Sequence, residues 1–592
     1  MCGIVGFIGK NKAIKAVISG LESLEYRGYD SAGIAYLKDN KINICKEQGR
    51  IKNLKDKLDM NIKSDLAIGH TRWATHGKAN NTNAHPHRVG KITIVHNGII
   101  ENYQEIKNKL ISEGYKFKSE TDSEVACALI DYYYDGNIIS AINNAIKVFK
   151  GSFALGIIVD GDNNLYAVRK TSPLIIGLND DEFFISSDVP AILKYTNKYI
   201  LLDDLEIAKI NKEVIVYNNL KEIKKELLTY DNDITCISKG KYDHFMLKEI
   251  NEQPEVIEKT INNYFNGDIK SLQNSFPNLK KYKEIHIVAC GSAYHAGLVG
   301  KTLIEKYANV KVTCEIASEY RYKNNFYDKN TLVIVVSQSG ETADTLAALN
   351  KANEDGIDTL AIVNVYKSSI ARSAKYVIYT KAGNEIAVAT TKAYSCQIAI
   401  FILLTIYLGY KNNYFNDCDI KKLYNELISI PNKINDLIKH DYKNIALEIY
   451  KSNNIFFIGR SIDYALSLEG SLKLKEISYI NSVAYQAGEL KHGSISLIDK
   501  KTPVIAIATD ENLYEKTISN IKETKARGSF AILISTFLNN DFDHLIKIPK
   551  TNDLLTPLLV IIPLQLIAYE VAKLKGCDID KPRNLAKSVT VE

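Results

Sequence analysis

One pattern recurs in the second half of the chain and constrains its fold more than any other feature. The segments EIHIVACGSAYHAG (284–297) and NIFFIGRSIDYALSLEG (454–470) each place an apolar run before a small polar turn and an alanine-bearing helix. About 170 residues also separate TLVIVVSQSGE (331–341) from its counterpart TPVIAIATDEN (502–512). Apolar runs that lead into turns and helices are typical of parallel strands buried on both faces. The sequence therefore predicts two α/β domains of one kind, related by tandem duplication.

The first 220 residues or so have a different pattern of apolar and polar residues. Strand-like runs at 91–98, 154–160 and 164–170 are bounded by Gly, Asn and Asp, and 101–114 has helical periodicity that ends in glycine. We expect short antiparallel strands with two helices, a layered α+β domain. The charged, weakly patterned stretch that follows indicates a linker. The predicted boundaries are 1–218 for the N-terminal domain, 219–246 for the linker, and 247–440 and 441–592 for the two α/β domains.

Bulk composition excludes several classes of protein. The 592 residues carry a net charge of +6, from 75 basic and 69 acidic residues that are interspersed, so we expect no nucleic-acid partner. Nine widely spaced cysteines without a CxxC pair favour a reducing compartment. The most apolar stretch, 554–568, contains two prolines and is shorter than the roughly 20 residues of a membrane span. We expect a buried helix there, and a cytoplasmic protein with no membrane partner.

The turn SQSGETADT (337–345) follows a predicted strand and opens a helix. Backbone N–H groups, hydroxyls and the helix N-terminus can together surround an anion. No Walker lysine and no GxGxxG pattern accompany it, so a sugar phosphate fits better than a nucleotide. An ordinary capped helix start is the alternative. The second repeat lacks this turn, so only the first is expected to hold a phosphate. The candidate donors are Ser337, Gln338, Ser339 and Thr342.

Three short motifs in the N-terminal part contain polar residues that could bind a ligand or take part in catalysis. GHTRWATHG (69–77) contains an arginine able to clamp a carboxylate and the single tryptophan of the chain. A metal site at its histidines and at His85 and His87 is disfavoured, because acidic neighbours are missing. HNGIIENY (96–103) places Asn97-Gly98 at a predicted strand end, as an oxyanion hole or a type I′ hairpin turn. SETDSE (119–124) predicts a helix N-cap with Asp122 in the first turn.

The chain opens MCGIVGFIGK, with Cys2 directly behind the initiator methionine. This cysteine either begins a buried strand or becomes an N-terminal nucleophile once Met1 is removed. A thiol needs a base to become a thiolate, and a free α-amino group has a pKa of about 8, which suits that task near neutral pH. The residues themselves leave both interpretations open.

Taken together, Cys2, Arg72, Asn97-Gly98 and Asp122 resemble the class II, N-terminal-nucleophile glutamine amidotransferases, whose domain has αββα layers. The C-terminal half separates the families that share this domain. Its motifs resemble the glutamine–fructose-6-phosphate aminotransferase family over essentially the whole chain, including both sugar isomerase (SIS) domains. The long insertion of eukaryotic members is absent, so the short bacterial-type form is implied and feedback by a nucleotide sugar is not expected. The motifs are SQSGETADT, EIAVATTKAYS (385–395), LKLKEISYI (472–480), GELKHG (488–493) and PRNLAKSVTVE (582–592).

The resemblance implies that fructose 6-phosphate and glutamine yield glucosamine 6-phosphate and glutamate. In the amidotransferase domain, Cys2 is the implied nucleophile, its own α-amino group is the base, and Asn97 with Gly98 stabilises the oxyanion. Ammonia then travels by a sealed route that Trp73 gates. The implied glutamine-binding residues are Arg72, Trp73, Thr75, His76 and Asp122.

The resemblance also assigns roles in the sugar half. Lys587 forms a Schiff base with the open-chain sugar, Glu476 moves the proton between C1 and C2, and His492 assists ring opening from a neighbouring subunit. A homodimer is therefore implied, with no metal and no cofactor. Considered one at a time, these residues also have purely structural explanations. Lys587 could be a solvated lysine, Glu476 could lie on the face of an amphipathic helix, and His492 could be a core histidine. The implied sugar-phosphate-binding residues are Ser292, Ser337, Gln338, Ser339, Thr342, Val388, Thr390 and Lys473.

Small departures from the family pattern leave every reactive group in place. Ser292-Ala293 stands where the loop often reads TS or TA, Thr390 where serine is common, and Ser494 where proline follows the LKHG motif. Three competing hypotheses remain. An amidotransferase acting on phosphoribosyl pyrophosphate needs a paired-acid loop that is missing. A sugar-phosphate-binding protein with an inactive glutaminase is expected to lose Cys2 or Lys587, and a SIS-domain deglycase does not need Cys2.

Overall fold

The computed structural model describes residues 2–25, 28–73, 77–230 and 238–590. These residues form two compact units. The first contains the described residues up to 230 together with 588–590, and the second is Ser238–Lys587.

The first unit contains, in its described part, two antiparallel sheets. The larger has the strand order β15-β11-β9-β10-β1-β4-β2-β3 and the smaller β14-β13-β12-β8-β7-β6-β5. The strands are β1 (Gly3–Ile8), β2 (Ser31–Lys38), β3 (Lys41–Gln48), β4 (Leu66–Arg72), β5 (His87–Val89), β6 (Ile92–Ile100), β7 (Gly151–Val159), β8 (Leu165–Lys170), β9 (Ile175–Asn179), β10 (Glu182–Ser186), β11 (Lys198–Leu201), β12 (Ile207–Ile210), β13 (Val214–Asn218), β14 (Lys221–Ile223) and β15 (Leu228–Thr229).

Alternation along these strands builds four layers, helices outside and the two sheets face to face. Along β1, Ile4 and Ile8 point into the core between the sheets, whereas Val5 and Phe7 pack against the first helix. Apolar residues of β6 and β7 cover the helices on the opposite side. The predicted αββα arrangement is confirmed. The helices are α1 (Ala13–Leu24), α2 (Ile51–Lys57), α3 (Tyr103–Ser112), α4 (Asp122–Tyr132) and α5 (Ile138–Val148).

The second unit contains two five-stranded parallel sheets of identical topology. Their strand orders are β17-β16-β18-β19-β20 and β22-β21-β23-β24-β25. Equivalent strands therefore occupy equivalent places, and the predicted tandem duplication is confirmed. The strands are β16 (Glu284–Ala289), β17 (Lys311–Ile316), β18 (Thr331–Ser337), β19 (Asp358–Val363), β20 (Tyr376–Tyr379), β21 (Asn454–Gly459), β22 (Asn481–Gln486), β23 (Pro503–Ala508), β24 (Phe530–Ser535) and β25 (His544–Lys547).

Helices surround both parallel sheets, and one apolar core runs through the unit. The helices are α6 (Phe245–Asn251), α7 (Gln253–Tyr264), α8 (Ile269–Ser275), α9 (Gly291–Ala308), α10 (Ala317–Tyr320), α11 (Ala343–Glu354), α12 (Ser369–Ser373), α13 (Lys392–Lys411), α14 (Asp417–Leu427), α15 (Ile430–Ile438), α16 (Lys443–Ile449), α17 (Ile462–Ser478), α18 (Tyr514–Lys525) and α19 (Pro557–Leu574). By length and composition alone α13 and α19 could cross a membrane, but 94% and 83% of their most apolar windows are buried in the protein. The buried helix predicted around 554–568 is confirmed as α19.

Two expectations about the first unit need revision. It has five α-helices in its described part rather than two. The additional helices α1 and α5 bury apolar residues at helical spacing, so the expectation of two helices overlooked a pattern that the sequence contains. Asn97-Gly98 lies inside β6 and not at its end, so the hairpin-turn alternative is wrong. The strands β14 and β15 fall within 219–246, and each adds an edge strand to one of the two sheets.

Candidate functional site

Cys2 lies directly before β1, and the register of β1 with β4 places Gly3 opposite Thr71. This pairing brings the cysteine beside the end of β4, where the Trp73 amide donates a hydrogen bond to Cys2 Sγ at 3.2 Å. Burial raises the pKa of the Cys2 thiol, and the Trp73 N–H and the Arg72 guanidinium oppose this effect without cancelling it. The thiol is therefore protonated at neutral pH and needs a base before it can attack a carbonyl.

The side chain of Asn97 is held in one orientation beside Cys2. Its Nδ2 donates to the Cys2 carbonyl at 3.0 Å, and its Oδ1 lies 3.0 Å from His70 Nε2. The same His70 nitrogen lies 2.9 Å from the His96 carbonyl, so it faces two acceptors and must carry the proton. Burial lowers the pKa of His70 to about 3, which keeps the ring neutral. His70 thus points the Asn97 amide donors toward the cysteine.

Gly98, the next residue of β6, has a backbone conformation open only to glycine. Its φ is +121°, and a Cβ there would lie 2.1 Å from the Ser152 carbonyl oxygen of β7. A larger residue would push β6 and β7 apart next to Cys2. Glycine therefore preserves both the sheet and the position of the Asn97-Gly98 peptide.

Arg72 and Asp122 are both buried close to this position. Arg72 ends β4 and donates to the Gly77 and Lys78 carbonyls, each at 3.2 Å. Asp122 is the first residue of α4 and accepts the Ile100 N–H at 2.9 Å. Thr121 caps this helix by accepting the Glu124 N–H, so the predicted N-cap is confirmed. A guanidinium and a carboxylate at the ends of adjoining elements can bind the two charged ends of an amino acid.

The remaining residues of the predicted glutamine site are Trp73, Thr75 and His76. The Trp73 ring meets the Tyr29 ring edge-on, with centroids 5.7 Å apart. Thr75 and His76 lie outside the described residues. The His85 ring stacks on His70 at 4.1 Å. Within the part of the chain that the structure describes, no group of three or more His, Cys, Asp or Glu side chains is arranged to hold a metal ion.

In the second unit, the turn after β18 is fixed by its own hydroxyls. Ser337 Oγ accepts the Gly340 N–H at 3.0 Å and lies 2.9 Å from Thr342 Oγ1. Ser339 Oγ accepts the Glu341 N–H at 3.1 Å. Thr342 is the N-cap of α11, so the turn and Gln338 within it stand at a helix N-terminus, where anions are favoured. This turn therefore gathers polar groups in front of a helix N-terminus.

Ser292, in the first turn of α9, joins a buried charged cluster on α17. Its Oγ donates to Glu469 Oε1 at 2.8 Å, and Lys473 Nζ donates to the same oxygen of Ser292 at 3.1 Å. Glu469 and Lys473 are 0% exposed, and Lys473 is also 2.6 Å from Glu476. Burial lowers the pKa of Lys473, but the two carboxylates outweigh burial and raise it overall. Lys473 is therefore a permanent cation at this site.

Lys587 reaches a second buried carboxylate from the C-terminal tail. Its Nζ donates to Glu385 Oε2 at 2.5 Å and to the Ala387 carbonyl at 2.8 Å. Thr390 Oγ1 also donates to Glu385 Oε2, and the Val388 amide binds the Asp580 carbonyl at 3.0 Å. Burial raises the pKa of Glu385. The charge of Lys587 and the hydrogen bonds from Lys587 and Thr390 outweigh burial and lower this pKa to about 2. The lysine is thus held by an ionised partner.

The structure places the predicted sugar-site residues in separate groups: the turn 337–342, Ser292 with Lys473 and Glu476, and Lys587 with Thr390 and the segment that contains Val388. Ser292 and the turn 337–342 follow β16 and β18, which are adjacent parallel strands, so both stand at the carboxyl edge of one sheet, where ligands of α/β proteins bind. His492 lies apart from them, exposed at the end of the short helix Glu489–Lys491. Its described hydrogen bond is the one from its backbone N–H to the Glu489 carbonyl.

The second repeat carries a carboxylate at the equivalent turn. Asp463, in the first turn of α17, accepts the Thr509 N–H at 2.8 Å and the Thr509 hydroxyl at 2.5 Å. Thr509 follows β23, just as Gln338 follows β18 in the first repeat. Backbone donors that could bind an anion in this turn are thus satisfied by the protein itself.

Sequence reasoning missed four residues of these clusters. Glu469 was detectable in principle, because it stands four residues before Lys473 on the same helix face. His70, His295 and Glu385 stand inside quoted motifs, but no partner close in sequence indicated their contacts. His295 Nδ1 lies 2.7 Å from Glu469 Oε2, a contact between residues 174 positions apart. Partners this distant in sequence become visible only in the folded chain.

Comparisons with known proteins agree with this geometry. A glutamine amidotransferase domain model matches residues 70–194, and a SIS domain model matches 278–407 and 448–575. The chain is 50% identical to the glutamine–fructose-6-phosphate aminotransferase (isomerizing) of Clostridium tetani and 43% identical to that of Thermococcus kodakarensis, in both cases over 100% of each chain. The solved C-terminal domain of glucosamine-fructose-6-phosphate aminotransferase from Francisella tularensis matches with a TM-score of 0.56 and 40% identity, over 58% of this chain and 99% of that one. The chain belongs to the glutamine–fructose-6-phosphate aminotransferase (isomerizing) family.

Proposed function

We propose that this chain converts fructose 6-phosphate and glutamine to glucosamine 6-phosphate and glutamate, the entry step to amino-sugar synthesis. One observation carries the proposal. The same chain holds a half-buried thiol beside an oriented amide, and a buried lysine–carboxylate pair in the unit that contains the duplicated parallel sheets. The first arrangement suits amide hydrolysis, and the second suits carbonyl chemistry on a sugar.

In the first unit, Cys2 Sγ attacks the side-chain amide carbon of glutamine. The α-amino group of Cys2, free once Met1 is removed, takes the thiol proton and returns it to the leaving nitrogen, so that ammonia departs and a thioester remains. The Asn97 amide and the Gly98 N–H stabilise the oxyanion. Water then releases glutamate from the thioester. Arg72 and Asp122 hold the glutamine carboxylate and ammonium, and Trp73, Thr75 and His76 are the further glutamine-binding residues of the proposal.

In the second unit, the turn that contains Ser337, Gln338, Ser339 and Thr342 binds the sugar phosphate. His492 assists ring opening, and Lys587 Nζ attacks the C2 carbonyl to form an imine with loss of water. Ammonia displaces the lysine from C2, and Glu476 then moves a proton from C1 to C2. The charge of Lys473 stabilises the negative oxygen that develops during this transfer.

Ser292, Val388 and Thr390 complete the proposed sugar site. Ser292 shares its hydroxyl between Glu469 and Lys473, while Thr390 and Val388 stand in the segment that holds Lys587. Ser292 and Thr390 therefore orient charged groups through hydrogen bonds, and Val388 is held in place by the Asp580 carbonyl. Eight cysteines of the described residues are free, which supports a reducing compartment such as the cytoplasm.

Direct product analysis tests the proposal. The protein is incubated with glutamine and fructose 6-phosphate, and glutamate and glucosamine 6-phosphate are measured beside the variants Cys2→Ala and Lys587→Ala. We expect wild type to form both products, Cys2→Ala to form neither from glutamine, and Lys587→Ala to release only glutamate. Glutamate without amino sugar from wild type would show that the acceptor is a different phosphosugar.

The exposed position of His492 supports a homodimer in which this histidine serves the partner's sugar site. Complementation of two inactive variants tests the sharing. His492→Ala and Lys587→Ala are denatured, mixed and refolded together, so that mixed dimers form. We expect mixed dimers to regain up to half of the activity per dimer, because one of their two sites is intact. No recovery in dimers confirmed by light scattering would place His492 in its own subunit's site.

A further inference from the structure

The segment 385–387 is held from two sides in the second unit. On one side, Lys587 Nζ donates to the Glu385 carboxylate at 2.5 Å and to the Ala387 carbonyl at 2.8 Å. On the other side, Glu249 of α6 accepts the Ile386 N–H at 2.5 Å and the Ala387 N–H at 3.2 Å, both through Oε1. The Ala387 residue therefore touches Glu249 through its N–H and Lys587 through its carbonyl.

Within the described residues, the lysines around this segment pair with carboxylates other than Glu249. Lys587 pairs with Glu385, and Glu252 is shared by Lys392 at 2.7 Å and Lys248 at 3.6 Å. Glu249 is 2% exposed, and its Oε2 has no hydrogen-bond partner among the described residues. A third ionised carboxylate here would be an uncompensated buried charge, which is more costly than a neutral acid.

The burial of Glu249 and the neighbouring Glu385 carboxylate both raise the pKa of Glu249. Burial raises its pKa first, and the negative charge of Glu385 raises it further, to about 8, against the opposing charges of Lys587 and Lys392. A neutral Glu249 still accepts both backbone N–H groups through one oxygen. The charged groups that act on it are Glu385, Lys587 and Lys392, and Glu252, which contacts Lys392, also contacts Lys248.

We infer that Glu249 is a positioning residue for the imine-forming lysine, and that it acts as a neutral acid. It fixes segment 385–387, so that the Glu385 carboxylate and the Ala387 carbonyl together aim Lys587 Nζ at the sugar carbonyl. The inference rests on the proposed role of Lys587 and adds a residue to it that the family motifs of the sequence did not supply. Glutamine can replace a neutral acid that accepts through one oxygen, whereas leucine cannot.

Borohydride trapping of the sugar imine on the full-length protein tests this inference. Fructose 6-phosphate and borohydride are added without glutamine, and mass spectrometry measures the labelled fraction of Lys587 with time. Glu249→Leu removes the acceptor at similar volume, and Glu249→Gln keeps it. Glu255→Gln, an exposed carboxylate on the neighbouring helix α7, is the matched control. Circular dichroism verifies the fold of each variant.

We expect Glu249→Leu to slow trapping by about tenfold or more, because two buried N–H groups lose their acceptor and the segment shifts. We expect Glu249→Gln to stay within about threefold of wild type at pH 7, and the KM for fructose 6-phosphate in the complete reaction to change little in either variant. Equal losses in Glu249→Leu and Glu249→Gln would overturn the neutral-acid inference. So would trapping by Glu249→Leu at the wild-type rate, or a loss confined to KM.

Infrared difference spectroscopy gives a second readout that a folding defect does not mimic. We expect wild type at pH 7 to show a protonated-carboxyl band that Glu249→Gln lacks and that disappears above about pH 8. Absence of this band at pH 7 would show an ionised Glu249 and overturn the inference. If wild type itself forms no trapped imine at Lys587, the proposed function of Lys587 fails, and the infrared result still decides the state of Glu249.

Discussion

Glu469→Gln probes the buried cluster that joins the two repeats of the second unit. Glu469 is 0% exposed and accepts hydrogen bonds from Ser292 at 2.8 Å and from His295 at 2.7 Å. The substitution keeps the shape of the side chain and removes its charge. A hydrogen bond to a charged group contributes about 1.5–3 kcal/mol and a neutral one about 0.5–1.5 kcal/mol, so each bond loses about 1 kcal/mol. We therefore expect a loss of about 2 kcal/mol for the two bonds. Lys473 keeps its second carboxylate, Glu476.

The single tryptophan of the chain makes the assay selective. Trp73 belongs to the first unit, so its fluorescence reports unfolding of that unit, whereas far-ultraviolet circular dichroism is dominated by the helical second unit. With a urea m-value of about 3 kcal/mol/M, a loss of about 2 kcal/mol lowers the midpoint by about 0.7 M. We expect this shift in the dichroism transition alone. The exposed residue Glu448, changed to Gln, is the control. A shift of both transitions, or of neither, would refute the reasoning.

Three further predictions follow from individual contacts. His70→Phe keeps the stacked ring but frees the Asn97 amide, so the kcat of glutamine hydrolysis should fall about tenfold or more with little change in KM; an effect on KM alone would contradict the orienting role. Ser461 has φ +52° and ψ −122°, a conformation costly for a residue with a Cβ, so Ser461→Gly should stabilise the second unit by about 1 kcal/mol in urea unfolding, and a loss would contradict the strain. Burial raises the pKa of Asp463 to about 6, so its ionisation disfavours the folded state, and this contribution to stability is lost as pH rises from about 4 to 6. Asp463→Asn should remove that part of the pH dependence from the urea midpoint, and an unchanged profile would show that Asp463 does not cause it.

The duplication was predictable because both faces of a parallel sheet are covered. Strands such as Thr331–Ser337 are then unbroken apolar runs, and the turn after them is set by small polar residues. Helix α1 was overlooked although its sequence predicts it, since Ile14, Val17, Ile18, Leu21 and Leu24 have helical spacing. A glycine and several β-branched residues in AIKAVISGLESL lower its helix propensity, and its apolar face packs against the sheet that contains β1 and β4.

The candidate residues also divide into those that a local motif reveals and those whose partners are distant in sequence. Reactive groups such as Cys2 and Lys587 stand in local motifs, so a resemblance found them. The groups that orient them do so across long sequence distances. Ser292 and Glu469 are 177 residues apart, and Glu385 and Lys587 are 202 apart. No local periodicity encodes such pairs, and burial of both partners is what gives them their energetic weight.

We propose above that one chain couples glutamine hydrolysis to sugar amination, and isotope labelling tests this coupling. Glutamine labelled with 15N in its side-chain amide is supplied with fructose 6-phosphate and a large excess of unlabelled ammonium, and the 15N content of glucosamine 6-phosphate is measured by mass spectrometry. We expect nearly all of the amino sugar to carry 15N, because in the proposed reaction ammonia passes to the sugar without mixing with solvent. Amino sugar with the isotope content of the bulk ammonium would contradict it.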